Sequence, residues 1–106
     1  MKADLSIANQ KATIALSGDF TFDAHRDFKD ATLKALEDEQ LKEIEIDFAN
    51  VDYMDSAALG MLLLFNERAT GRRVSLANCK TSVAAVLDIA NFGKIFDIQE
   101  KTSLPN

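Results

Sequence analysis

The sequence predicts an α/β domain: a mixed sheet of four to five strands, helices packed mainly on one face, in the order β-β-α-β-α-β-α-β. Three features predict it. Short segments alternate apolar and polar residues with a period of two, and longer segments between them carry apolar residues at helical spacing. The first two strand segments are joined by a few polar residues and so pair antiparallel; the later ones are reached through helices, which implies parallel crossovers. The alternation also leaves one face of the sheet open, because strands covered on both faces read as unbroken apolar runs.

The elements follow in order. DLSIA (4–8) is a weak first strand with Leu5 and Ile7 on one face, and ANQK is its hairpin turn. ATIALSG (12–18) places Ile14 and Leu16 against Thr13, Ala15 and Ser17, and Gly18 ends it. TFDAHRDFKDATLKALEDE (21–39) reads as a helix with Ala24, Phe28, Ala31, Ala35 and Leu36 on one side and Thr21 or Asp23 as its cap. EIEIDF (43–48) alternates cleanly. A helix over 56–70 ends near Gly71, and RVSLAN (73–78) is the next strand. TSVAAVLDIAN (81–91) is a short helix capped by Thr81 or Ser82, with Val83, Val86, Leu87 and Ala90 apolar. KIFDIQ (94–99) is the last strand, and 103–106, with Pro105, is a frayed tail.

The 106 residues suit one domain with one core. A net charge of −5 disfavours nucleic acid and anionic membranes as partners. The opening MKADLSIANQ has no signal-peptide run and MLLLF is too short to span a bilayer, so the cytoplasm is the expected compartment. The single cysteine, Cys79, cannot form an internal disulfide and reads as a small buried hydrophobe. One His and one Cys do not make a usual zinc set, and no Gly-rich phosphate loop is present, so neither metal nor nucleotide is expected as a cofactor. A serine hydrolase would need a base beside its nucleophile; only His25 could serve, and the Gly-x-Ser-x-Gly elbow is absent.

The stretch DYMDSAALGMLLLFNERA (52–69) carries the most information. On a helical wheel Leu62, Phe65 and Ala69 fall within about 40° of Ala58 and form the core stripe. Ala57, Met61 and Leu64 widen the apolar arc on one flank, Leu59 and Leu63 on the other, with Gly60 and Glu67 opposite. The arc is wider than one sheet-facing stripe requires: the helix is either well buried among neighbours or partly exposed for a partner. Asp55 is placed to cap the helix by accepting from Ala57 or Ala58, with Ser56 as the first helical residue. A phosphate on Ser56 would be tolerated at the positive end of the helix and would add nearly two negative charges to the surface.

At these residues the chain resembles the STAS-domain family, and within it the bacterial anti-sigma factor antagonists. LSGDFTFDAHRDFKDAT (16–32) is similar to the family's Leu-(Ser/Thr)-Gly-Glu-Leu-Asp turn and first helix. VDYMDSAALGMLL (51–63) is similar to its Asp-Ser-Ser/Thr-Gly-Leu-Gly phosphorylation motif. SVAAVLDIANFGKIFDI (82–98) is similar to its closing helix and strand, with Phe92 and Ile95 in the apolar slots. The resemblance implies a phosphorylation-controlled protein-binding switch rather than an enzyme. Ser56 matches the phosphoacceptor, Asp55 the acid before it, and Leu59 and Gly60 the Leu-Gly that follows. Thr21, Asp23, Ala57, Leu59, Gly60, Met61 and Leu64 form the implied docking patch. The implied partners are an anti-sigma factor or serine kinase of the histidine-kinase-like ATPase fold, bound by the unphosphorylated form, and a metal-dependent serine phosphatase that resets it. Three positions depart from the pattern: Ala57 replaces the second hydroxyl residue, Ala58 a glycine that would bear on how closely a partner backbone approaches, and Thr21 the first-turn Asp. The alternative within the family is a non-switching accessory subunit, for example of a lipid-transport ATPase or a stress-signalling assembly. No element demands a twin, so a monomer is expected.

Overall fold

A computed structural model describes residues 1–100, which form a five-stranded sheet in the order β1-β2-β3-β4-β5. Strands β1 (Lys2–Ala8) and β2 (Lys11–Ser17) make an antiparallel hairpin. Its two turn residues, Asn9 and Gln10, both have positive φ, 53° and 67°, the hand that matches the twist of the flanking strands. Strands β3 (Glu43–Asn50), β4 (Arg73–Cys79) and β5 (Asp97–Glu100) then add in parallel, each beside the one before. The crossovers carry α1 (His25–Leu36), α2 (Ser56–Arg68) and α3 (Thr81–Ile89). All three step in the same direction across the sheet, and right-handed crossovers therefore put all three helices on one face.

Register aligns the apolar residues into rows across the strands. Leu5, Ile14, Ile46, Leu76 and Ile98 are successive partners across all five strands. Ile14, Ile46 and Leu76, at its centre, are fully buried beneath the helices. The other face is polar and self-paired: Lys11 Nζ lies 3.3 Å from Glu43 and 3.1 Å from Glu45, and Arg73 lies 3.2 Å from Asp97. The hydrogen bonds to Glu45 and Glu43 raise the Lys11 ammonium above its ordinary range. Exposed pairs of this kind contribute little to stability. They suit a face that meets water, as the alternation of β3 implied.

Over the core face, Phe20 is the plug. Gly18, at φ +97°, turns the chain out of β2, and its N–H donates to Asn50 O at 3.1 Å. Phe20 then drops into the core, 5.0 Å from the Phe28 ring of α1, which meets Phe65 of α2 edge-on at 6.0 Å. The far end of α1 is pinned by Arg72, whose guanidinium donates to Asp38 O at 3.2 Å and Leu36 O at 3.5 Å. A cation on these last carbonyls also complements the helix dipole.

Several local expectations require correction. Neither Thr21 nor Asp23 caps the first helix through its side chain; the chain enters α1 through a 3-10 turn, Phe22–Ala24. Neither Thr81 nor Ser82 caps α3; Lys80 is the N-cap residue, and the Ser82 hydroxyl donates instead to Asp52 O at 3.3 Å. The last strand is shorter than KIFDIQ. A second 3-10 turn, Phe92–Lys94, continues through bonds from the Ile95 and Phe96 N–H groups to Phe92 O. It brings the buried Phe92 and Phe96 rings to 5.8 Å, and this pairing wins over extension. Ile95, expected in an apolar slot, is thereby left 42% exposed, while Phe96 beside it is buried. The tail at 103–106 lies outside the described residues.

Candidate functional site

Parallel pairing brings the carboxyl ends of β2, β3 and β4 to one pole of the sheet, where the loops entering the helices meet. Two of these loops are stitched together. The Phe20 N–H donates to Tyr53 O at 2.9 Å, and the Asp55 N–H donates back to Phe20 O at 3.2 Å. Asp55 completes the joint with both carboxylate oxygens. Oδ1 accepts from the Ala58 N–H at 3.1 Å and caps α2; Oδ2 accepts from the Phe22 N–H at 3.2 Å and holds the turn that leads into α1. One side chain thus satisfies orphan donors at two helical starts, and its extended φ of −106° and ψ of −179° suit an N-cap.

Ser56 is the first residue of α2 and is exposed. Among the described residues its hydroxyl makes no side-chain hydrogen bond. Ala57 is partly buried beside it, whereas Ala58 is 0% exposed and packs into the core, so of the two alanines only Ala57 can meet a partner. Gly60, one turn on from Ser56, is exposed, and a Cβ there would meet nothing within 4 Å. Leu59 is partly buried on the flank away from α1. Thr21 is partly buried and Asp23 exposed in the neighbouring loop. Met61 and Leu64 turn toward α1, where with His25, Phe28, Phe65 and Arg68 they line a cavity of about 50 Å³. That is room for a few waters at most. The expected patch is thus gathered at one pole, except that Met61 and Leu64 run down the seam between α1 and α2.

Two residues at this pole escape sequence reading. Phe22 is 69% exposed and Tyr53 is 56% exposed, one in each stitched loop. Apolar aromatics count as core by default. The sequence signal for Phe22 was its position off the stripe of Ala24, Phe28, Ala31 and Ala35; nothing local marked Tyr53. The charge around them is acidic: Asp19, Asp23 and Asp52 are exposed and Asp55 partly so, while Lys80 is ion-paired with Asp52.

Cys79, at the end of β4, is 1% exposed, and burial, with lesser contributions from Glu100 and Asp47, pushes its thiol up to about 12. It is a buried thiol at neutral pH, not a nucleophile. Among the described residues no cluster of three His, Cys, Asp or Glu side chains could hold a metal ion, and no helix is long and apolar enough to cross a membrane.

Comparison with known proteins agrees with this architecture. Residues 3–100 match a family profile described as Mlab, STAS domain. A STAS-domain containing protein of Pseudomonas aeruginosa (strain UCBPP-PA14) is 41% identical over 95 residues, spanning 88% of this chain and 92% of that protein. Among solved structures, an anti-sigma factor antagonist from Mycobacterium paratuberculosis superposes with a TM-score of 0.83 at 13% identity, covering 92% of this chain and 84% of that one. The Bacillus cell fate determinant SpoIIAA in its phosphorylated form superposes with a TM-score of 0.68 at 19% identity, covering 91% and 89%. At these identities the superpositions establish the fold alone. With five strands in STAS order, the profile match over nearly all of its length and a relative well above 30% identity, the chain belongs to the STAS-domain family.

Proposed function

We propose that this protein is a phosphorylation-controlled docking module of the anti-sigma factor antagonist kind, with Ser56 as the phosphoacceptor. The observation that carries the reading is the geometry at the start of α2. Ser56 is exposed at the positive end of the helix while Asp55, not Ser56, supplies the cap. A phosphate on Ser56 therefore removes no hydrogen bond that the fold uses, and the helix N-terminus favours it. Its effect falls on what docks there. Nearly two negative charges would have to be desolvated beneath a partner shaped for a hydroxyl, with Lys80 already ion-paired to Asp52. The unphosphorylated form binds; the phosphorylated form releases. SpoIIAA, a neighbour in fold, has solved structures in both its unphosphorylated and phosphorylated forms, in keeping with such a mechanism.

The partner in this reading is an anti-sigma factor or serine kinase that carries its own ATP, with a metal-dependent phosphatase restoring Ser56, all in the cytoplasm. Incubation with magnesium ATP and lysate of the source cells tests it by intact mass. Addition of one phosphate to the wild type and none to Ser56→Ala is expected; an unmodified wild type in a lysate active on another substrate refutes it.

A second reading, a fixed accessory subunit, is favoured by exposed apolar residues away from Ser56, Leu63 at 42% and Ile89 at 85%. It predicts that Ser56→Ala and Ser56→Asp bind the partner equally well.

A further inference from the structure

The distribution of aromatic side chains says how the Ser56 pole is read. The chain has seven Phe and one Tyr. Phe20, Phe28, Phe48, Phe65, Phe92 and Phe96 are all buried, each 4% exposed or less. The remaining two, Phe22 and Tyr53, are both more than half exposed, and both sit in the loops that Asp55 joins, immediately around Ser56. Neither is loose. The Phe22 N–H is held by Asp55, and the Tyr53 carbonyl is held by the Phe20 N–H. Backbones fixed in this way present large side chains with little ordering left to do on binding. Exposed, pre-positioned aromatics are the side chains that most often anchor protein interfaces.

The charges around the pair select the partner's chemistry. Asp19 and Asp23 are exposed and in no salt bridge among the described residues, and Lys80, at the same pole, is ion-paired with Asp52. An acidic rim repels nucleic acid and anionic lipid, and the adjoining cavity of about 50 Å³ is too small for a metabolite. We propose that Phe22 and Tyr53 are the anchors of the docking surface, and that the kinase reading Ser56 receives them in an apolar recess rimmed by Lys and Arg. The inference rests on the Ser56 reading above. It also explains how a phosphate would act: on Ser56, next to the loops that carry the two aromatics, a dianion would be brought against the recess that receives them, whereas the rim carboxylates meet basic groups. Rim charges speed the encounter, and the aromatics hold the complex.

The test is the initial rate of phosphate incorporation at limiting protein, in one lysate with magnesium ATP, over a range of salt. Phe22→Ala and Tyr53→Ala are expected each to lower the rate at least about tenfold, and Asp19→Asn with Asp23→Asn to lower it about threefold and flatten its decline with salt. Ile7→Ala, an exposed apolar residue on β1 at the opposite pole, should keep the wild-type rate. Thermal melts of every variant guard against misfolding, and Tyr53→Glu, which keeps the backbone bonds, gives a second probe of the anchor. Rates within about twofold of wild type for both alanine variants, with unchanged melts, overturn the anchor assignment. A wild-type rate that rises with salt overturns the basic rim. A wild type that takes up no phosphate at all fails the Ser56 reading itself, and that failure is visible without any variant.

Discussion

Replacing Asp55 with alanine removes two hydrogen bonds at once, and its cost can be worked from their geometry. The Oδ1 bond to the Ala58 N–H is an N-cap, and loss of an Asp cap costs about 1 kcal/mol. The Oδ2 bond to the Phe22 N–H is charge-assisted but reaches an exposed donor that water can serve, so about 1 kcal/mol is a fair discount from the buried range. Together Asp55→Ala should lose about 2 kcal/mol, or roughly 8–16 °C in melting temperature for a domain of this size. Asp55→Asn separates the two bonds. Asparagine caps as well as aspartate, but its amide nitrogen would face the Phe22 N–H, so only the second bond is lost and the cost falls to about half. Calorimetry gives the stabilities, and amide hydrogen exchange locates them: Phe22 should lose protection in both variants, Ala58 only in the alanine. Asp55→Ala within about 0.5 kcal/mol of wild type, or Asn as costly as Ala, would refute the two-bond account.

Further predictions follow from single features. Gly60→Ala should stabilise the protein by about 0.8–1 kcal/mol in chemical denaturation, because the added Cβ meets open space in a helix interior; a loss of stability would mean that the site is more crowded than it looks. Arg72→Ala should cost about 1–3 kcal/mol, with Lys recovering part, since the carbonyls of Leu36, the last residue of α1, and of Asp38 just beyond it lose their donor; fraying of that end by hydrogen exchange checks the cause. Cys79 should resist alkylation until the protein unfolds. Its pKa is raised from 9.0 to about 12 on folding, so its contribution is complete below pH 9 and is lost as pH rises toward 12, at up to about 1.4 kcal/mol per pH unit. Cys79→Ala should remove that part of the alkaline decline.

The residues that announced themselves in the sequence did so through periodicity. Glu43 to Phe48 alternate because one face of the sheet is bare, and the stripe of Ala58, Leu62, Phe65 and Ala69 is buried because α2 lies flat on the other. Local pattern failed where a distant residue decided. The start of α1 is held by Asp55, 33 residues from Phe22, so no search near Thr21 or Asp23 could find the donor's partner. KIFDIQ alternates on paper, yet the Phe92–Phe96 pair winds its first half into a turn. Ala58 also holds a motif position expected to bear on how closely a partner approaches, but its place in the core stripe prevails and it is fully buried. Phe22 and Tyr53 escaped as surface features for the converse reason: hydrophobicity marks what can be buried, and although Phe22 lies off the α1 stripe, the packing around Phe20 and Met54 is what shows which aromatics are left outside.

The most direct measurement is the affinity of the isolated kinase partner for this protein before and after phosphorylation at Ser56, with the melting temperature recorded in both states. The account predicts one phosphate, placed on Ser56, a melting temperature unchanged or slightly raised by the anion at the helix N-terminus, and affinity lowered at least about a hundredfold. Equal affinity in the two states, or a phosphorylated protein that loses binding only because it unfolds, would contradict it.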